Sequence, residues 1–101
     1  MARGITIVRR AAREIAEARE WWQANRPAAP EVLERELRRG LVFIAQQPHI
    51  GPRARNARLA GVRRVYLSRI RYYLYYRVQP ASEALEVLAF WHASRGSGPE
   101  L

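Results

Sequence analysis

The sequence predicts an α+β fold of order β-α-α-β-β-β, an antiparallel sheet with a helical hairpin packed on one face. Three observations carry that expectation. A short β-branched run opens the chain at residues 5–8. Two stretches of helical periodicity follow, joined by the breaker segment Arg26-Pro27-Ala28-Ala29-Pro30. Three apolar, aromatic-rich runs then come in quick succession, separated by short turn segments.

Each element follows from local chemistry. From Arg10 to about Asn25, Ala11, Ile15, Ala18 and Trp22 recur at helical spacing, with Arg13, Glu14, Glu17 and Arg19 on the other face. A second helix is expected from near Pro30, since proline is tolerated in the first helical turn. Glu31 and Glu34 suit the positive end of its dipole. Leu33, Leu37, Leu41 and Ile44 form its apolar stripe, widened by Val32 and Ala45. Gly40 costs helix stability, and close approach of the first helix would rationalise it. A short loop between two such helices predicts an antiparallel hairpin.

Pro48-His49-Ile50-Gly51-Pro52 ends the second helix, and a basic irregular connector runs to Gly61. Strands are predicted over residues 62–67, 70–78 and 85–92, with a tight turn at Ser68-Arg69 and a hairpin loop over residues 79–83. The last strand is apolar on both faces, as a central, doubly covered strand would be. Nothing in the sequence places the first strand in the sheet. One domain is expected over residues 1–95, with a mobile polar tail over 96–101.

Composition narrows the function classes. All 18 basic residues are arginine and all 9 acidic ones are glutamate, giving a net charge of +9 and directing attention to an acidic protein or a polyanion. There is no cysteine, so disulfides and thiolate metal sites are excluded, which fits a reducing cytoplasm. No apolar run is long enough to span a membrane. No metal-ligand cluster and no phosphate-cradling glycine motif is present, so no metal and no cofactor is expected. Nucleophilic triads fail because the chain has no aspartate and its serines lack the surrounding elements.

Alternation of side chains divides the strand over residues 70–78 into two faces. Ile70, Tyr72, Leu74, Tyr76 and Val78 form the core face; Arg71, Tyr73, Tyr75 and Arg77 form an arginine–tyrosine surface. The preceding strand adds Arg64 and Tyr66 to one face, Val65 and Leu67 to the other. Arginine can neutralise phosphates while tyrosine stacks on bases, and the same surface can accept an acidic peptide along the sheet or its edge. A solvated sheet face built from good strand formers is the plain alternative. A second candidate is His92, near Arg95 at the end of the last strand, as a general acid or base. Metal-free RNA cleavage needs a second proton-transfer group, and no carboxylate or lysine lies between Pro48 and Glu83. A structural hydrogen bond is the simpler role for a lone histidine.

The element order, the connector QQPHIGPRARNARLAGVRRVYL, the strand SRIRYYLYYRV and the ending VLAFWHASRG together resemble toxins of the ParE/RelE superfamily, from Ile5 to about Arg95. That resemblance implies a bacterial, cytoplasmic type II toxin, of the kind associated with plasmid stabilisation. It implies a cognate antitoxin that neutralises the toxin within a hetero-oligomeric complex, through an acidic C-terminal segment suited to the basic chain. Trp21, Trp22 and Leu41 of the helical hairpin are the expected antitoxin contacts. Two targets divide the superfamily. ParE-like members inhibit DNA gyrase by binding, without chemistry of their own. RelE-like members cleave messenger RNA on the ribosome. The RelE-like pattern carries over to Arg71, His92 and Arg95, and connector arginines such as Arg55 and Arg58 stand where that branch has lysines. Those lysines, the glutamate base of some members and a tyrosine after the last strand are absent. The long helices, PHIG and WHASR look closer to ParE-like members. Three readings follow: gyrase inhibitor, ribosome-dependent endonuclease, or a nontoxic nucleic-acid-binding module. For target or nucleic-acid binding the expected residues are Arg55, Arg58, Arg64, Arg71, Tyr73, Tyr75 and Arg77.

Overall fold

Strand β1 (Ile5–Ile7) leads directly into helix α1 (Arg9–Asn25) in the computed structural model, which describes residues 4–55 and 57–101. Helix α2 (Val32–Gln46) and strands β2 (Arg63–Leu67), β3 (Tyr72–Val78) and β4 (Leu85–His92) complete the predicted order. The strands form one sheet in the spatial order β1-β4-β3-β2. β2, β3 and β4 are an antiparallel meander, and β1 runs parallel to β4 with Ile5 opposite Leu85. β4 is therefore a central strand, as its doubly apolar sequence requires.

Val8 N–H donates to Val87 O at 3.1 Å, extending the β1–β4 ladder by one residue, and Val8 O accepts the first helical bond from Ala12 N–H. Beyond that point the β4 edge has no strand beside it. Glu14 of α1 fills the gap: its Oε1 accepts the Phe90 N–H at 2.9 Å. Ala11, Ile15, Ala18 and Trp22 bury one stripe of α1, which lies over β4. Trp22 Nε1–H donates to Ala29 O at 2.8 Å and so fixes the loop to α2.

Helix α2 lies over β2 and buries Leu33, Leu37, Gly40, Ile44 and Ala45. Burying each large aliphatic side chain of that stripe contributes about 1.5–3 kcal/mol. Gly40 is explained by the sheet and not by α1. A Cβ there would lie 2.9 Å from Leu67 Cδ2 and 3.5 Å from Leu74 Cδ2. The two helices are joined instead by an ion pair, in which Arg19 Nε and Nη2 donate to the Glu34 carboxylate. Glu36 is buried yet compensated, with Arg39 Nη1 at 3.3 Å and Arg69 Nη1 at 4.0 Å.

The turn before β3 is longer than the sequence suggests. Residues 68–71 all belong to it, with Arg71 N–H donating to Leu67 O at 2.8 Å. Arg71 takes φ 60°, a left-handed conformation uncommon for a non-glycine residue. Ile70 and Arg71 thus stand outside the strand, although Ile70 still packs into the core. In β4 the register shifts between Tyr75 and Tyr76: Tyr75 pairs with Ala89 but Tyr76 with Val87. Leu88 is the extra residue, and this bulge puts Leu88 and Ala89 in one cluster while Leu85, Val87 and Phe90 join the helix-side core.

Candidate functional site

The sheet face away from the helices combines apolar cover with an arginine–tyrosine surface. The β2–β3 register sets Arg64 opposite Tyr75 and Tyr66 opposite Tyr73. Arg64 Nη1 donates to Tyr75 Oη at 3.1 Å, and its guanidinium lies 4.1 Å from the Tyr73 ring centroid. Tyr66 and Tyr73 rings stand 4.9 Å apart at 38°. Tyr75 is buried with Val62, Leu88 and Ala89, and the connector (Ala54, Ala57) and Leu101 pack against them. Arg77 is committed elsewhere, since its Nε donates to Glu86 Oε1 at 2.7 Å across β3 and β4.

The connector is pinned along β2. Arg53 bridges to Arg63, Arg64 N–H donates to Pro52 O at 3.0 Å, and Arg63 Nη1 donates to Gly51 O at 2.7 Å. Residues 96–101 return over the same face. Trp91 Nε1–H donates to Ser97 O at 2.8 Å, Arg10 Nη1 donates to Glu100 O at 2.7 Å, and Arg58 and Leu59 N–H both donate to Leu101 O. Between connector, sheet and tail lies a cavity of about 560 Å³ lined by Arg53, Arg55, Arg64 and Tyr75. Among the described residues none of those three arginines has a carboxylate within ion-pair distance, whereas Arg10, Arg19, Arg39, Arg69 and Arg77 do.

On the helix side, a groove of about 270 Å³ runs between α1 and α2 toward β1. Ile7, Ala12, Ile15, Leu37 and Leu41 form its floor, with Arg19, Glu34 and Arg38 on the rim. It opens beside an exposed sheet edge, where Ile5 and Ile7 both face solvent. Trp22 belongs to the core beneath, at 9% exposure, while its neighbour Trp21 is 48% exposed.

A third cleft, of about 210 Å³, gathers Glu17 and Trp21 of α1 with Tyr72, His92 and Arg95. Here the fold brings the α1 carboxylates of Glu14 and Glu17 to the His92 end of β4. Burial pushes the Tyr72 hydroxyl up; the charge on Arg95 opposes this and that on Glu17 adds to it. His92 Nδ1 accepts the Ser94 N–H at 3.0 Å and meets Ser94 Oγ at 2.7 Å. That pair of contacts orients the ring, and Tyr72 packs edge-on against it at 4.9 Å.

A family model described as the ParE toxin of the type II toxin–antitoxin system parDE matches residues 5–96. The chain belongs to the ParE toxin family. A solved structure titled "Chromosomal ParDE TA system from P. aeruginosa" is similar in fold, at TM-score 0.69 and 17% identity over 92% of this chain and 98% of that one. No curated protein matches the sequence.

Within this ParE-family toxin the sequence-derived candidates fall into separate places. Arg64, Tyr73 and Tyr75 do share one face, and Arg55 lines the cavity beside them. Arg58 lies further along the connector, where its N–H holds Leu101. Arg71 leaves that face for the β2–β3 turn, and Arg77 is neutralised by Glu86. His92 and Arg95 lie in the helix-side cleft, so the arginine face and the histidine are on opposite sides of the sheet. Leu41 lines the α1–α2 groove; Trp22, largely buried in the core, lines a neighbouring cavity between the same helices that shares Arg19 and Glu34 with it; Trp21 faces the His92 cleft. Sequence reasoning did not single out Arg53, Phe43 or Glu17. Tyr66 was legible as a strand residue, but its stacking on Tyr73 depends on a register the sequence does not state. Among the described residues no helix is long and apolar enough to cross a membrane.

Proposed function

We propose that this toxin inhibits DNA gyrase by binding it, and that a cognate antitoxin neutralises it by laying an acidic, amphipathic segment into the α1–α2 groove. The groove carries the reading. Its floor is aliphatic, its rim carries Arg38 beside the Arg19–Glu34 pair, and the open β1 edge lies beside it. A partner segment with apolar residues on one face and carboxylates on its flanks would bury the floor and meet the arginines, in a chain of net charge +9. Action by binding is supported by the division of candidate groups between the two sides of the sheet. Proton transfer on RNA needs acid, base and phosphate-holding cations around one reacting centre; Glu17, His92 and Arg95 share one cleft, but the cluster of Arg53, Arg55 and Arg64 that is best suited to hold phosphates has the sheet between it and them. Gyrase as target implies that the toxin acts in the bacterial cytoplasm.

Purified toxin added to gyrase and relaxed plasmid is expected to block supercoiling. Addition of the product of an adjacent acidic reading frame is expected to restore it, with a stable hetero-oligomer on size exclusion. Unchanged supercoiling together with cleaved ribosome-bound messenger RNA would overturn the reading in favour of an endonuclease.

A further inference from the structure

The arginine cavity adjoins a second, aromatic cavity of about 330 Å³, and the two share Pro52 and Arg64 as their common wall. Phe43, Ile50, Tyr66 and Tyr73 line the second one. Phe43, Ile50 and Tyr66 are exposed at 42, 50 and 47%, an unusual concentration of large apolar side chains at one edge of a charged surface. From this juxtaposition we infer a binding site for single-stranded nucleic acid that runs from the outer sheet face over the β2 edge to Phe43 of α2, on residues other than those of the groove assigned above to the antitoxin. A phosphate occupies the arginine cavity, and the neighbouring base lies against Tyr66 and Phe43.

The chemistry of each half fits that occupant. Arg53, Arg55 and Arg64 have no carboxylate partner among the described residues, so their charge is free to meet an anion. Arginine's planar fork suits phosphate oxygens. Arg64 is already immobilised by Tyr73 and Tyr75, so binding orders it at little further entropic cost. Tyr66 is half exposed and backed by Tyr73, which gives a base a flat, supported surface. A duplex has its bases stacked within the helix and cannot present one to Tyr66 without unstacking; a single strand can. An acidic peptide would satisfy the arginines but has no need of the aromatic half.

Fluorescence anisotropy tests this with a labelled oligothymidylate of about ten nucleotides, within the usual footprint of such sites. The single strand is expected to bind more tightly than a duplex of equal length. Tyr66→Ala should weaken single-strand binding roughly ten-fold, and Tyr66→Phe, which keeps the ring, should retain it. Arg53→Gln with Arg55→Gln should reduce the slope of log K against log salt by about 0.7, the value for one lost phosphate contact on a single strand. Both arginines and Tyr66 are solvent-exposed, and circular dichroism verifies that each variant is folded. Equal or tighter duplex binding would overturn the inference. So would a Tyr66→Ala variant with unchanged affinity, or a glutamate-rich peptide of equal charge that competes as well as the oligonucleotide. None of these outcomes bears on the supercoiling assay, so the two proposals stand or fall separately.

Discussion

Gly51 N–H donates a hydrogen bond to Tyr76 Oη at 3.1 Å, tying the basic connector to the largest of the fully buried side chains. Tyr76→Phe keeps the ring and removes the acceptor, leaving a buried N–H unpaired. The expected loss is about 1–3 kcal/mol, read as a fall of several degrees in Tm. The same tyrosine makes the fold sensitive to alkali. Burial pushes its hydroxyl above the ordinary value of 10.0, against the opposing effects of the Gly51 hydrogen bond and Arg63, and burial also raises Tyr72. A raised folded-state pKa means stability is complete below the unfolded value and is lost as pH rises through the folded one. A Tyr72→Phe, Tyr76→Phe double variant should therefore show a shallower loss of stability above about pH 10, followed by denaturant titration across that range.

Two glycines should respond oppositely to alanine. At Gly51 a Cβ would lie 2.7 Å from Arg64 O and 2.8 Å from Tyr76 Oη, so backbone must move. Gly51→Ala is expected to cost about 2 kcal/mol or more. At Gly40 the clash, at 2.9 Å, is with the end of a flexible leucine that is itself only half-buried. The gain in helix propensity of about 1 kcal/mol offsets it, and Gly40→Ala should change stability by less than about 1 kcal/mol. Equilibrium denaturation of both variants separates the two cases.

Glu34→Gln removes the pair between the helices. Hydrogen bonding to Arg19 holds the Glu34 carboxyl below its ordinary range. Its stabilisation is thus present at neutral pH and lost as pH falls through the folded value. Both partners are about half exposed, so screening limits the effect to less than about 1 kcal/mol. Denaturation in high salt should erase the difference between this variant and the parent.

The adjacent tryptophans should divide sharply. Trp22→Ala empties a core site and removes the indole hydrogen bond to Ala29 O, an expected loss of about 3–5 kcal/mol. Trp21→Ala should leave Tm nearly unchanged. Leu41→Glu puts a carboxylate into the α1–α2 groove; it should weaken an acidic antitoxin at least ten-fold by calorimetry while leaving inhibition of supercoiling intact.

Much of the architecture could be read from the chain because hydrophobic period and breakers agree. The α1 stripe Ala11, Ile15, Ala18 and Trp22 is buried as its spacing requires, and β4 is central as its two apolar faces require. What escaped reading depends on long-range geometry. The left-handed Arg71 carries no glycine to announce it, so the turn took in two residues expected in the strand. The bulge at Leu88 breaks the two-residue alternation. Arg77 reads as a free cation in the sequence because its partner Glu86 lies across a hairpin whose register the sequence does not state. Tyr75 was expected on an open face and is covered by the connector and residues 96–101, whose packing has no periodic signature. The candidate site was thus legible in residue type and only partly in membership.

The parallel pairing of β1 with β4 also bears on when this toxin comes into being. Ile5 meets Leu85, eighty positions later, and no shorter-range strand contact can substitute for it. Contacts so distant form late, because closing the loop precedes any reward from pairing. On the ribosome β1 must wait until β4 has emerged. Ile7, which walls the groove between the helices, takes its place only then. A chain cut short before β4 would lack the strand that holds β1 in place, so the groove would be complete only in molecules that include it.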